Sequence, residues 1–142
     1  MKFTKNIASI YIPDEEDEEK ALNRITHLGI GAHQDDLEIM AYHGILQCFG
    51  SKDKWFAGVD VTNGAGSARS GIYESYEDDE MVEIRRIEQR KAAFIGEYAM
   101  QILLEYTSAE VKDSKNSGPV EDIKTILLSC SPSILYTHNI AD

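Results

Sequence analysis

Residues 25–32, ITHLGIGA, constrain what this chain can fold into more than any other segment. Apolar and β-branched side chains follow one another there without the strict alternation of a half-wet strand. The run is also too short to form a helix buried on every side. A strand covered on both faces satisfies it, as happens in a parallel sheet between two layers of helices. Parallel neighbours need crossover connections, so strands and helices should alternate along the chain.

The remaining segments follow that rhythm. Residues 7–12 (IASIYI) form a short β-prone run closed by Pro13, and residues 14–24 are acidic and then amphipathic, a loop entering a helical turn. After the apolar run, Asp35 and Asp36 offer an N-cap and first-turn acids to a helix over 37–49, with Leu37, Met40, Ile45, Cys48 and Phe49 near helical spacing and Gly50 as its stop. Residues 55–62 (WFAGVDVT) read as a second strand ending in the turn-rich NGAGS of 63–67. From 79 to about 100 the pattern is helical, with Glu and Arg three and four residues apart. Residues 101–107 suit either a strand or a continued helix, and 112–119 read as a loop. A helix over 120–130 then leads, through a turn at Ser131 and Pro132, to a third core strand, SILYTHN. The expected architecture is α/β: one domain over 1–142, a three-layer sandwich with a Rossmann-like, mainly parallel sheet. The last residues, 138–142, follow directly on what reads as a central strand, where such sheets carry working groups. The expectation is therefore a domain truncated at its C-terminal side.

Charge narrows the function classes. With 25 acidic against 14 basic residues the net charge is -11, which repels phosphate backbones and argues against nucleic-acid partners. The two acidic runs, 13–19 and 76–80, read as solvated faces. Cys48 and Cys130 lack metal-type or disulfide-type spacing and read as buried apolar thiols in a reducing compartment. The N-terminus has no apolar stretch of the secretory kind, and no segment approaches the roughly 18 apolar residues of a membrane span. A cytoplasmic location is expected; oligomeric state is open.

The chemistry concentrates in Ala32-His33-Gln34-Asp35-Asp36, at a strand end and helix start. A histidine and a carboxylate three residues apart, His33 and Asp36, can converge on one cation, and imidazole plus carboxylate suits a catalytic zinc with an open position. Asp35 between them would face the water that such an ion activates and serve as its base. Spacing alone leaves another reading open, in which Asp35 and Asp36 cap the helix and His33 is a strand-end histidine.

The segment GIGAHQDDLEIMAYHG resembles the signature of the LmbE / PIG-L de-N-acetylase family, a strand followed by AHPDDxE, with Gln34 in place of proline. The likeness continues in VDVTNGAGS, which resembles the family's second strand and glycine loop. IRRIEQRKAAFIG resembles its R-x-x-E-x-x-x-A-A helix through Arg85, Glu88 and Ala92, and SILYTHN its strand before the last metal motif. The resemblance implies zinc-dependent hydrolysis of an N-acyl group, in all expectation an acetamide on an amino sugar or related conjugate. It makes His33 and Asp36 the zinc ligands and Asp35 the general base. It places Arg85, Asn63 and Gly64 against the small-molecule substrate. The family's third ligand is a histidine of an H-x-x-H or H-x-D-H motif, expected beyond residue 142.

Two rivals stand beside this reading. GIGAHQ begins like the glycine fingerprint of a nucleotide-binding Rossmann module, but Gln34 occupies the third glycine's place. A non-catalytic relative could keep AHxDD and lack a complete metal site. Of the other histidines, His27 reads as lying at the sheet edge or in solvent and His43 as nearly two turns from Asp36. His138 reads as too early for a ligand and at best beside the ligand set.

Overall fold

The computed structural model describes residues 1–141, and the expected α/β sandwich is there. A five-stranded sheet runs in the order β1-β4-β3-β2-β5, with β1 (Ser9–Tyr11), β2 (His27–Gly31), β3 (Phe56–Thr62), β4 (Met100–Tyr106) and β5 (Ile134–Thr137). All neighbours pair parallel except β1, which runs antiparallel to β4 at one edge. The helices α1 (Glu18–Arg24) and α6 (Gly118–Cys130) cover one face, packing Ala21 and Ile126 on Leu28, Ile30, Val59 and Ile102. The other face carries α2 (Asp36–Met40), α3 (Tyr42–Cys48) and α4 (Asp78–Ile95), where Ala41, Ile45 and Ala93 close over Phe56 and Tyr98. A short α5 (Ser108–Lys112) stands between β4 and the loop leading to α6.

Local chemistry explains most boundaries. Asp17 accepts the Glu19 and Lys20 N–H groups at the start of α1, and Glu77 and Glu80 close a reciprocal capping box on α4. Every residue of β2, β3 and β4 is buried, as continuous apolar runs demand in a doubly covered parallel sheet. Residues 101–107 are thus a strand and not a continued helix: α4 ends at Ile95, with Gly96 as its C-cap. The segment 37–49 is two short helices and not one, broken at Ala41.

Two expectations need correction. The third core strand, β5, lies at the sheet edge, with Ile134 and Leu135 nearly half exposed, because only β2 pairs with it among the described residues. His27 faces neither edge nor solvent. It opens β2 at 4% exposure, its Nδ1 lies 2.8 Å from Thr26 Oγ1, and its ring stacks at 6.4 Å from Tyr136. Burial lowers its pKa, since the charged imidazolium loses hydration there. Cys48 and Cys130 are buried free thiols, as read from their spacing. Among the described residues no helix is long and apolar enough to cross a membrane.

The sheet also sets where α2 begins. A Cβ on Gly29 would lie 2.9 Å from Leu37 Cδ2, and one on Gly58 would lie 2.7 Å from Leu37 Cδ1. Missing side chains on two adjacent strands therefore let Leu37 sink fully into the core, a burial worth roughly 2 kcal/mol. Leu37 follows Asp36 directly, so its seat fixes the start of the helix against the strand ends.

Candidate active site

The turn between β2 and α2 presents residues 33–36 at the C-terminal ends of the parallel strands, where open α/β sheets carry their ligands. Asp35 sits in the left-handed region, φ 81°, uncommon for a residue other than glycine and costing about 1–2 kcal/mol. Its side chain makes no cap hydrogen bond with α2. The capping interpretation of Asp35 therefore fails, and its carboxylate turns to another element, Arg85.

What holds this strained turn is a set of contacts from three elements. Arg85, on α4, donates from Nη2 to the Gln34 carbonyl at 2.6 Å and to Asp35 Oδ2 at 2.9 Å, and from Nη1 to Glu88 at 2.5 Å. These acids keep its guanidinium charged against the cost of partial burial, and its pKa is raised. The Asp35 N–H donates to Gln89 Oε1 at 3.3 Å. Gln34 is buried at 1% exposure, and its Nε2 donates to the Thr62 carbonyl at 2.8 Å, tying the turn to the end of β3. Gly64 packs directly on Gln34 and Arg85 with φ +73°.

A bulge in β4 places the loop that faces the turn. Between Asp60 and Thr62 the pairing shifts register, with Glu105 at φ 64° in the extra position. The Tyr106 carbonyl can then accept the Asn63 N–H at 2.8 Å. Arg69 gathers the following loop by donating to the carbonyls of Ala65, Ser67 and Tyr76 and pairing with Asp78. Turn and loop enclose a pocket of about 400 Å³ lined by His33, Gln34, Asp35, Asp36, Gly64 and Arg85, with Ser67 and Ser108 on its wall. Asn63 is turned into its own loop, where Oδ1 accepts the Ala65 N–H at 3.2 Å, and it does not line the pocket.

The donor set gathers on one oxygen. Asp36 Oδ2 accepts the His33 N–H at 2.7 Å, lies 3.6 Å from His33 Nδ1 and 3.0 Å from His138 Nε2. The same His138 nitrogen is 3.1 Å from the Ala32 N–H. With a bare Nε2 it accepts from Ala32; with a proton there it donates to Asp36. His138, set aside from its position in the sequence, thus touches Asp36 from the end of β5. Two imidazoles and a carboxylate suit zinc in chemical type. Among the described residues, however, no group of three or more His, Cys, Asp or Glu side chains is gathered closely enough to hold a metal ion.

Beneath the turn lies a buried polar layer that pattern reading passed over. Gln89 Nε2 and the Tyr98 hydroxyl both donate to Glu38 Oε1, at 3.0 Å and 2.7 Å, and Gln101 Nε2 donates to Asp60 Oδ2 at 3.0 Å. Asp60 is 0% exposed and its Oδ1 finds no partner among the described residues. Burial first, then the neighbouring carboxylates of Glu38 and Asp36, push its pKa well above the ordinary carboxylate range. Tyr98 is likewise pushed upward by burial and by Glu38. An acid amid the valines of FAGVDVT, in a run otherwise fit for full burial, was the signal that could have revealed this layer.

The family model described as "PIG-L: GlcNAc-PI de-N-acetylase" matches residues 28–142. No curated protein and no solved structure gives a significant match.

Proposed function

The chain belongs to the GlcNAc-PI de-N-acetylase (PIG-L) family, and from that premise we propose that it removes the N-acyl group, an acetyl, from an amino sugar or a related conjugate. Family membership supports a deacetylase-type enzyme acting on N-acetylated sugars. The zinc ion and the roles of individual residues are the proposal.

His33 and Asp36 would hold the ion, with His138 beside them at Asp36 Oδ2. When bound, a divalent ion supplies Lewis acidity to the amide carbonyl and to water, whose pKa it can lower to about 7. Asp35 takes the proton of the attacking water and returns it to the leaving nitrogen, the two transfers that amide cleavage requires. Arg85 steers that carboxylate: its Nη2 bridges Gln34 and Asp35, so the base stays at the pocket mouth instead of folding back to cap α2. Both terminal nitrogens of its guanidinium are engaged, Nη2 by Gln34 and Asp35 and Nη1 by Glu88, so Arg85 meets the substrate as part of the pocket wall, together with Gly64. Asn63 acts through the loop it closes.

The observation that carries this reading is the separation of duties between adjacent carboxylates. Asp36 faces two imidazoles, whereas Asp35 faces a guanidinium and open pocket. The reading of a non-catalytic relative draws on the lack of a three-ligand group among the described residues. Metal analysis of the protein beside a His33→Ala variant separates the two. About one zinc per chain, lost in the variant, supports the hydrolase; no metal in either supports the non-catalytic relative. Asp35→Asn should then abolish deacetylation of N-acetylated amino sugars while metal content is retained, and a fully active Asp35→Asn enzyme refutes the assignment of the base.

A further inference from the structure

The outer surface of the helical layer on the α3–α4 side is apolar in a pattern that its own core does not use. On α3 and its flanks, Ile39, Tyr42, Leu46 and Phe49 recur at three- and four-residue steps and are each more than half exposed. On α4, Met81, Val82, Gln89 and Ala93 face the sheet. The opposite stripe runs Glu80, Ile84, Ile87, Lys91, Phe94, again at steps of four, three, four and three. Ile87 and Phe94, with Ile95 beside them, are more than half exposed. That spacing is the seam of a helix that packs against another helix. The two stripes converge at the C-terminal ends of their helices, where the Gly50 N–H donates to Glu97 at 3.1 Å. A cavity of about 540 Å³ lies between Cys48 and Ser51 on one side and Phe94 and Ile95 on the other.

Charge identifies the occupant. The first turn of α4 is acidic, with Asp78, Asp79 and Glu80, and its later turns carry Arg90 and Lys91. Lys91 has no ion-pair partner among the described residues. Among the described residues the Glu80 carboxylate meets only the Glu77 N–H of its capping box. A second α4 laid antiparallel across the first brings each lysine to the opposite acidic turn. The register that sets Lys91 against Glu80 of the partner subunit also sets Ile84 against Ile87, so one arrangement satisfies both the charges and the apolar seam. Antiparallel helices also oppose their dipoles favourably. An anionic bilayer is a poor alternative for a chain of net charge -11. Seven large side chains at roughly 100 Å² apiece approach the ~800 Å² that each partner contributes to a standard interface.

We propose that the α3–α4 face, centred on Ile87 and flanked by Glu80 and Lys91, is the interface of a two-fold dimer of this chain. The catalytic reading is not needed for it. Sedimentation of the chain from about 1 to about 200 µM is expected to show a monomer–dimer equilibrium. Ile87→Asp and Lys91→Glu should each weaken it at least about tenfold in Kd. Leu135→Asp, on the exposed edge strand β5, should leave the Kd unchanged. Both α4 positions are exposed, so far-UV circular dichroism is expected to show that the variants keep the fold. A chain that stays monomeric throughout, or a dimer that survives Ile87→Asp and dissolves with Leu135→Asp, overturns the proposal.

Discussion

Replacing Gly64 by alanine tests whether the loop after β3 is what holds the AHQDD turn in shape. Gly64 has φ +73°, which costs an alanine about 1 kcal/mol before any contact is considered. The new methyl would then stand 2.5 Å from Gln34 Oε1 and 2.8 Å from Arg85 Cγ. Gln34 cannot retreat cheaply, because at 1% exposure it is enclosed and its amide is bound to the Thr62 carbonyl. Breaking that bond and leaving a buried amide unsatisfied costs roughly 1–3 kcal/mol, so the total comes to about 3 kcal/mol. Two neighbours calibrate the figure. Gly71 has φ +60° but open space around it, so Gly71→Ala should lose only the backbone share, about 1 kcal/mol. Gly66 has neither positive φ nor a near neighbour, and Gly66→Ala should fall within about 0.5 kcal/mol of the parent. Urea denaturation followed by far-UV circular dichroism reads all three as midpoint shifts at constant slope. If Gly64→Ala costs no more than Gly71→Ala, the contact with Gln34 and Arg85 does not hold the turn and the reasoning fails.

Two further outcomes follow from buried carboxylates, Asp60 and Glu105. Asp60 titrates well above its ordinary 3.8 in the fold. Between 3.8 and that raised value the native protein keeps a proton which the unfolded chain has released, so the group makes stability fall as pH rises through the window. Asp60→Asn removes this dependence: the stability of the variant minus that of the parent should grow as pH rises above about 4, and a constant difference would rule out a protonated Asp60. Glu105, with a side chain 1% exposed, relies on Arg86 Nε at 2.6 Å. Arg86→Ala strands that charge and should cost about 3 kcal/mol by denaturant midpoint, part of it recovered when Glu105→Gln is added; a loss below about 1 kcal/mol would mean that Glu105 is satisfied without Arg86.

The order of elements was legible because hydrophobic periodicity is a local property. ITHLGIGA and WFAGVDVT can be satisfied only as strands covered on both faces, and α4 announces itself through acids in its first turn and a glycine at its end. The strand–helix junction at AHQDD was legible for the same reason. QILLEY was ambiguous because a buried apolar run looks alike in helix and strand; pairing with β3 on one side and β1 on the other decided it.

The sequence by itself determined the α/β class, the place of His33, Asp35 and Asp36 at a strand end, and the two inert thiols, all of which follow from local pattern and spacing. Only the tertiary structure decided which groups meet there. Asp35 turns from its expected cap to Arg85, fifty residues away, and His138 reaches Asp36 across 102 residues. Asn63 closes its own loop and Gln34 ties the turn to Thr62, while Gln89, Glu38 and Tyr98 join beneath it with Gln101 and Asp60. Such contacts depend on the crossovers, on a β4 bulge, and on two glycines that let Leu37 sink between strands. A polar side chain buried this way takes its partner, and its protonation state, from whatever the fold brings beside it, and spacing along the chain carries no record of that.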